Sequence, residues 1–398
     1  MRLLRIGHES TVDAQAARPK VAVILTGGGA RAAYQVGVLW AISRLLPRNA
    51  PNPFPIICGT SAGAFNAAAL AVSATEFRIG VGRLMAVWRN FHVGQVYRSD
   101  PAGVFVSGAR WMAAMLIGGL GKHNPVSLLD NRPLEALLRN KLEFKGVQAS
   151  IDRGALCAVS ITASGYTSGQ SVTFYQGVPT LTPWKRARRL GIPAQIGLEH
   201  LLASSAIPFM FPAVRINREY FGDGSMRQYA PISPALHLGA ERVLVVGVTL
   251  AEEGKRVKSE GYPSLAEIAG HTLNSIFLDS MEVDLERLQR INKTLQLVPP
   301  KVLEKSELSL HHVDVLVISP SEAIESIAAR HVHNLPRTIR FLLRGVGATR
   351  RSGSNLASYL LFEKSFCREL MDLGYHDAMR QKQEILNFLG YVPSHVEG

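Results

Sequence analysis

The chain has 398 residues, of which 47% are hydrophobic and 19% charged, a composition that excludes an intrinsically disordered chain and fits one large α/β domain or two smaller ones. Its three cysteines (Cys58, Cys157 and Cys367) lie far apart, which argues against a disulfide framework or a cysteine metal site and suits a reducing compartment. The formal net charge of +13 favours anionic partners such as phospholipid surfaces. No nucleic-acid-binding motif accompanies that charge, so we expect no nucleic acid partner.

The first predicted elements alternate between strands and helices. A short apolar run at 21–25 predicts a buried parallel strand, and residues 30–46 predict a helix that ends before Pro47. Residues 56–58 predict a second strand, and the alanine-rich segment 62–73 predicts a second helix. This βαβα order predicts a mostly parallel sheet with helices on both faces.

The later pattern continues both kinds of element. Strands are predicted at 155–162, 171–175, 243–248 and 313–318, and helices at 75–91, 104–117, 132–142, 198–205, 266–297 and over most of the chain after 336. The polar residues 1–20 lack the apolar core of a secretory signal, so none is expected. The stretch 104–120 is interrupted by serine, arginine and glycine, which favours a buried or surface-lying helix over a membrane span.

Two arginine-rich stretches carry part of the positive charge, one at 185–189 and one at 344–351. Both are interpreted first as solvated faces. Trp184, beside the first stretch, adds an interfacial lipid contact as an alternative there.

A G-x-S-x-G motif lies between the second predicted strand and the helix that follows it. Its residues are Gly59, Ser61 and Gly63. In this context the motif predicts a tight strand-to-helix turn that places a serine nucleophile at a helix N-terminus. The alternative is an ordinary serine helix cap, and we favour the nucleophile because strand, turn and helix follow one another as the motif requires.

A second glycine-rich turn follows the first predicted strand. It comprises Gly27, Gly28, Gly29, Ala30 and Arg31. One interpretation is a dinucleotide fingerprint, but the second strand ends without the carboxylate that would hold the ribose. The other is an oxyanion hole, in which backbone N–H groups approach a reacting carbonyl and the Arg31 side chain adds positive charge beside it.

A serine nucleophile needs a proton acceptor. Twelve histidines are present, so a histidine base stays open from the residues alone, although none after Asp223 lies in a recognisable base motif. Asp223 is followed by Gly224, and a glycine-flanked aspartate at a strand end projects its carboxylate into a cleft. An Asp-Gly pair equally predicts a simple turn, and both interpretations stay open at this point.

Taken together, the glycine run at 25–39, the serine turn at 59–63 and the pair at 223–224 resemble the patatin-like phospholipase family over roughly residues 20–235. The resemblance implies a dyad with Ser61 as nucleophile and Asp223 as base, and an oxyanion hole at the first glycine turn. It also implies a metal-free and cofactor-free hydrolysis of lipid esters, and a three-layer α/β/α sandwich.

The chain departs from the family pattern at two positions. Ala32 stands where the family has a last glycine, and because the donors are main-chain groups little loss is expected. Ser225 follows the Asp-Gly pair, and its hydroxyl could hydrogen-bond the carboxylate and lower its basicity. An aspartate is a weak base at neutral pH, so a dry cleft is expected. Its candidate walls are Phe65, Ile207, Phe209, Met210, Phe211 and the stretch 104–120.

The sequence thus predicts an α/β protein with a patatin-like sandwich and a helical C-terminal extension. The expected divisions are a tail at 1–19, a catalytic domain at 20–250 and a mostly helical region at 251–398 packed on it. The expected activity is hydrolysis of phospholipid or lysophospholipid esters, in the cytoplasm, with peripheral contact at an anionic inner membrane face. The alternatives are a nucleotide- or acyl-carrier-binding module and a catalytically inactive lipid-binding protein.

Overall fold

A computed structural model of the protein describes residues 19–100, 127–249, 262–276, 280–299, 311–345, 347–348 and 353–391. Its described strands form one ten-stranded sheet. They are β1 Val21–Leu25, β2 Ile56–Thr60, β3 Ala158–Gly165, β4 Ser171–Gly177, β5 Trp184–Arg186, β6 Arg189–Pro193, β7 Val214–Ile216, β8 Glu219–Asp223, β9 Arg242–Val246 and β10 Asp314–Ile318.

The described α-helices are α1 Ala33–Leu45, α2 Ala62–Val72, α3 Phe77–Arg89, α4 Arg132–Lys141, α5 Lys145–Asp152, α6 Leu198–Ser204, α7 Ser233–His237, α8 Leu265–Asn274, α9 Ser280–Leu297, α10 Ile324–His331, α11 Arg337–Gly345, α12 Ser354–Leu360, α13 Lys364–Arg380 and α14 Lys382–Phe388. A 3-10 helix, Gly29–Ala32, precedes α1, and another, Gly224–Arg227, follows β8. Among the residues that the structure describes, no helix combines the length and the apolar character that crossing a bilayer requires.

The sheet runs in the order β10-β9-β1-β2-β3-β4-β6-β5, with β8 paired to β3 and β7 paired to β8. The strands from β10 to β3 are all parallel, and antiparallel pairs lie towards the β5 and β7 edges. The register pairs Leu25 with Gly59, so the carboxyl ends of β1 and β2 lie side by side. Both sequence turns therefore meet at one edge of the sheet, where ligands of α/β folds bind.

Side chains of β1 alternate between two hydrophobic cores. Val21, Val23 and Leu25 pack with α1, α2 and α13 on one face, whereas Ala22 and Ile24 pack with α7 and α9 on the other. Strand periodicity produces this division, because successive side chains point to opposite faces of a sheet. The predicted three-layer arrangement with a mostly parallel sheet and a helical C-terminal region is confirmed.

Some predicted elements need correction. The single helix predicted at 266–297 is two described helices, α8 and α9. The strand predicted at 155–162 begins at Ala158 and continues to Gly165, because it pairs with β4 as far as Ser164 and with β8 at its end. The short strands β5 to β8 have no clear sequence pattern and were not predicted. The predicted helix at 104–117 lies outside the described residues.

The first basic stretch is exposed over residues 185–188, as expected of a solvated face. It lies in the β5–β6 hairpin at the sheet edge. The ring of Trp184 stacks on Tyr175 at 5.1 Å and on His237 at 4.9 Å between centroids. This half-buried ring is therefore used in packing. In the second stretch, residue 346 and residues 349–351 lie outside the described part of the chain.

Candidate active site

Ser61 lies on the turn between β2 and α2 with φ 53° and ψ −127°, a conformation that non-glycine residues rarely adopt. Such strain costs about 1–3 kcal/mol and persists only where the surroundings enforce it. A Cβ atom at Gly59 would lie 2.6 Å from the Ala67 Cβ, and one at Gly63 would lie 2.1 Å from the Leu25 carbonyl oxygen. The two glycines thus allow the close packing that holds the serine in this turn.

Asp223 ends β8, and its Oδ2 atom accepts a hydrogen bond from the Ser61 hydroxyl at 2.6 Å. Its other oxygen, Oδ1, accepts the Ser225 N–H at 2.9 Å. Both Ser61 and Asp223 are buried. A Cβ atom at Gly224 would lie 2.0 Å from the Thr162 carbonyl oxygen, so only glycine lets the chain after Asp223 run this close to β3.

Burial raises the pKa of Asp223 from 3.8 to about 6. Hydrogen bonds from Ser61 and from the backbone and side chain of Ser225 act in the opposite direction and limit the rise in pKa. The effect expected of Ser225 is thus present, but burial outweighs it. Desolvation makes this carboxylate a stronger base than an exposed aspartate, while it is still ionised at neutral pH.

Among the described residues, the Ser61 hydroxyl donates to the Asp223 carboxylate, which also accepts the Ser225 N–H, and no histidine bonds either side chain. The backbone N–H of Asp223 donates to the Ala206 carbonyl at 2.9 Å. The pair is therefore arranged for direct proton transfer from hydroxyl to carboxylate.

The first glycine turn adjoins the serine turn. A Cβ atom at Gly63 would lie 2.6 Å from the Thr26 carbonyl oxygen, just before Gly27. Gly29 has φ +56°, and a Cβ atom there would lie 2.2 Å from the Tyr359 carbonyl oxygen. Both the conformation and the close approach require glycine.

Not every N–H of this turn is available to a ligand. The Arg31 N–H donates to the Gly28 carbonyl at 3.1 Å and begins the 3-10 helix. The first N–H groups of a 3-10 helix have no hydrogen-bond partner inside the helix. In this helix they are the N–H groups of Gly29 and Ala30. These two groups are the N–H donors of the turn best suited to a developing negative charge.

The side chain of Arg31 was expected to add positive charge beside the oxyanion hole. It instead binds residues of the C-terminal region. Its Nε atom donates to the Ser358 Oγ at 2.8 Å, and its guanidinium also bonds the Asn355 side chain. The guanidinium lies over the ring of Tyr359, 4.2 Å from the centroid. This buried cation thus fixes the turn to α12.

Ser204, at the end of α6, is a site residue that the sequence did not reveal. Its Oγ atom accepts the backbone N–H of Ser61 at 2.9 Å and donates to the Thr162 carbonyl at 2.6 Å. The hydroxyl therefore bridges the strained serine turn and β3. No local motif marks it, because its partners are 143 and 42 residues away.

A buried chain of hydrogen-bonded side chains supports the glycine turn. Gln35 on α1 donates to the Thr26 carbonyl at 2.8 Å, and Asn66 on α2 donates to the Gln35 amide oxygen at 2.9 Å. The indole N–H of Trp88 donates to the Asn66 amide oxygen at 2.9 Å. The turn and the helix that follows Ser61 are thereby held in one fixed relationship.

The candidate cleft walls have different environments. Ile207 and Phe211 are buried, whereas Phe209 is largely exposed, with φ 64°. Phe65 lines a mainly apolar cavity of about 710 Å³ between α2, α3 and α4. The stretch 104–120 lies outside the described residues.

Comparison with known proteins shows similarity to a curated phospholipase. It is a "cGAMP-activated phospholipase" of Pseudomonas aeruginosa (strain BWHPSA011 / Pa011), 26% identical over 215 residues. The alignment covers 54% of this chain and 54% of the relative, so this chain spans about half the length of that protein.

Two solved structures show weaker similarity. VipD from Legionella pneumophila has 12% identity and a TM-score of 0.31 over 89% of this chain and 67% of that one. The complex of SpcU with ExoU from the Pseudomonas aeruginosa type III secretion system has 19% identity and a TM-score of 0.21, over 39% and 35%. TM-scores of this size do not establish a shared fold, so neither structure bears on the fold or function of this chain.

The family comparison covers the segment that carries both turns and the Asp-Gly pair. The model of the patatin-like phospholipase family matches residues 23–236, more than half of the chain. This chain therefore belongs to the patatin-like phospholipase family.

Proposed function

We propose that the protein is a serine acyl hydrolase that cleaves carboxylic ester bonds of phospholipids or lysophospholipids through a Ser61–Asp223 dyad. The observation that carries this proposal is the 2.6 Å hydrogen bond between the two buried side chains. Family membership supports a lipid ester as the substrate. The strained turn at Ser61 supports nucleophilic chemistry there, because an ordinary helix cap requires no such strain.

In the proposed reaction, Asp223 takes the proton of the Ser61 hydroxyl as the Oγ atom attacks the ester carbonyl carbon. The N–H groups of Gly29 and Ala30 stabilise the negative charge on the carbonyl oxygen, each contributing about 3–4 kcal/mol. Collapse of the tetrahedral intermediate breaks the C–O bond, and the leaving alcohol receives the proton from Asp223. Water then attacks the acyl-enzyme, again giving its proton to Asp223, and the carboxylic acid leaves as Ser61 regains its hydrogen.

The raised pKa of Asp223 supports its role as the base. A base transfers protons most efficiently when its pKa lies near the working pH and it is still ionised there. Burial brings the pKa of Asp223 to about 6, which meets both conditions at neutral pH without a histidine.

We propose that residues 20–250 form the catalytic unit, 251–398 a mostly helical region packed against it, and 1–19 a tail. The contacts of Arg31 with α12 and the pairing of β10 with β9 support close packing of the second unit on the first. The proposed location is the cytoplasm, at the surface of an anionic membrane, in keeping with the net charge of +13.

The experiment that tests this function incubates the purified protein with a mixed phospholipid extract and identifies the products by mass spectrometry. Release of free fatty acid and lysophospholipid is expected from the wild-type chain and not from Ser61→Ala. A fluorophosphonate probe should label the wild-type serine covalently. An unlabelled serine together with unchanged lipids would favour a binding module in place of an enzyme.

A further inference from the structure

Helix α11 presents a large aromatic side chain to solvent. On its inner side Ile339 and Leu343 are buried, whereas Phe341 is 77% exposed. Arg337 lies four residues before Phe341 and Arg344 three residues after it, so on a helix both lie on the same face as the ring. The outer face of α11 is thus an exposed phenyl ring between two arginines.

The start of helix α8 lies close to the end of α11. A Cβ atom at Gly347, just beyond α11, would lie 3.0 Å from the Ser264 Cβ, at the start of α8. Next to Ser264, Tyr262 is 93% exposed and Leu265 69% exposed. We call this surface the α8–α11 face; its members are Tyr262, Leu265, Ile268, Arg337, Phe341, Leu342 and Arg344.

The charged side chains that α11 contributes to this face are positive. No aspartate or glutamate occurs between Glu325 and Glu363 in the sequence, a stretch that includes the whole helix. The acidic residue of α8, Glu267, is engaged in a capping box with Ser264. Exposed aromatic and aliphatic side chains interspersed with arginines are the pattern of helices that lie in the surface of an anionic bilayer.

We propose that the α8–α11 face docks the protein on an anionic phospholipid surface. Phe341, Leu265 and Tyr262 enter the headgroup region, while Arg337 and Arg344 pair with lipid phosphates. This proposal rests on the proposed function and deepens it by naming the surface that brings the enzyme to its substrate.

The face is connected to the glycine turn through one intervening helix. A Cβ atom at Gly270 on α8 would lie 3.1 Å from the Asn355 Cβ on α12, and the Tyr359 hydroxyl donates to the Asn274 side chain of α8 at 2.7 Å. The same α12 residues Asn355 and Tyr359 contact Arg31. Lipid bound at the face therefore lies against elements that support the turn.

The test uses full-length protein carrying Ser61→Ala, so that lipid binding is measured without hydrolysis. Sedimentation with vesicles of phosphatidylglycerol and phosphatidylcholine at low salt gives the bound fraction. Phe341→Ala should weaken binding about fivefold or more, because the ring's apolar area no longer leaves water. The double variant Arg337→Glu with Arg344→Glu should weaken it about tenfold or more, and pure phosphatidylcholine vesicles should bind poorly.

Two matched controls change exposed residues outside the face. Leu297→Ala removes an 84% exposed side chain at the end of α9, and Arg153→Glu reverses an exposed charge after α5. Both should bind vesicles like the parent protein. Equal weakening by control and face variants would overturn the proposal, and so would absence of binding to anionic vesicles. The proposal would also be overturned if the parent protein self-associated and Phe341→Ala abolished that self-association, because the face would then bind a second copy of the chain.

A parallel measurement separates this proposal from the proposed function. In the chain with intact Ser61, Phe341→Ala should leave hydrolysis of a soluble short-chain ester unchanged and reduce hydrolysis of vesicle lipid. A chain that binds vesicles through this face but hydrolyses no ester would reject the proposed function alone.

Discussion

The guanidinium of Arg31 lies over the ring of Tyr359, 4.2 Å from the centroid, and so joins the glycine turn to a helix 328 residues further along the chain. The same cation bonds Ser358 and Asn355. Because Arg31 directly follows Gly29 and Ala30, these contacts of α12 fix the orientation of the proposed oxyanion donors. The C-terminal region thus supports the site although it lies outside the matched family segment.

Replacement of Asn355 should therefore affect catalysis. In Asn355→Ala the Arg31 guanidinium loses an acceptor, and we expect kcat to fall about tenfold while KM changes little, because donors to the transition state are misplaced. Steady-state kinetics on a soluble ester measures both. The matched control is Asn292→Ala, which removes hydrogen bonds to Val313 elsewhere. A loss of kcat in the control equal to that in Asn355→Ala would contradict the assignment.

The pH dependence of hydrolysis should follow Asp223. Its carboxylate must be ionised to accept the serine proton, and burial raises its pKa to about 6. We expect kcat/KM to be level near neutral pH and to fall tenfold for each pH unit below about 6. A pH–rate profile on a neutral ester tests this. A profile that stays level down to pH 4.5 would contradict the role of this group as the base.

The same raised pKa predicts a cost to stability. Since the folded-state pKa of about 6 exceeds the reference value of 3.8, the folded protein binds more protons, and stability falls as the pH rises from 4 to 6. The loss is about 3 kcal/mol above pH 6. Asp223→Asn, which stays neutral, should therefore be more stable than wild type at pH 8 and lose that advantage at pH 4, as urea unfolding would measure.

Asp130 provides the contrasting control. Hydrogen bonds from the Arg132 side chain lower the pKa of Asp130, so its charged form is favoured in the folded state. Asp130→Asn should accordingly lower stability at pH 8 and not raise it. If both substitutions changed stability in the same direction at pH 8, the electrostatic account of Asp223 would fail.

Ser204 should matter for catalysis because it holds the backbone of the nucleophile. Ser204→Ala leaves the Ser61 N–H and the Thr162 carbonyl without this partner, at an expected cost of about 1–3 kcal/mol of stability, with a lower kcat. Denaturant unfolding and ester kinetics measure the two effects. The adjacent Ser205, whose hydroxyl donates to carbonyls of the helix α6 that it follows, is the control, and Ser205→Ala should keep kcat. Comparable kcat values for the two variants would show that the bridge is unimportant.

The features predicted from sequence are those with local causes. The strand before Gly27 and the turn at Ser61 follow from apolar runs and glycine spacing within a few residues. The pairing of Ser61 with Asp223 spans 162 residues and was predicted only through the family resemblance. Residue patterns by themselves did not decide whether that aspartate forms a simple turn or acts as the base.

The features that the sequence did not reveal depend on distant contacts. Arg31 was expected beside the oxyanion hole, but its side chain bonds α12, more than 300 residues away. Ser204 resembles any helix-terminal serine until its bond to Ser61 is known. The short strands β7 and β8 exist because they pair with each other and with β3, and no periodicity within three to five residues predicts that.

The central claim is that the Ser61 hydroxyl becomes a nucleophile because the Asp223 carboxylate takes its proton. The most direct measurement is the rate of covalent labelling by a fluorophosphonate, read by mass spectrometry of the peptide containing Ser61. We predict rapid labelling of wild type, none of Ser61→Ala, and labelling slowed about 10⁴-fold in folded Asp223→Asn. Labelling of Asp223→Asn at the wild-type rate, or of a serine other than Ser61, would contradict the account.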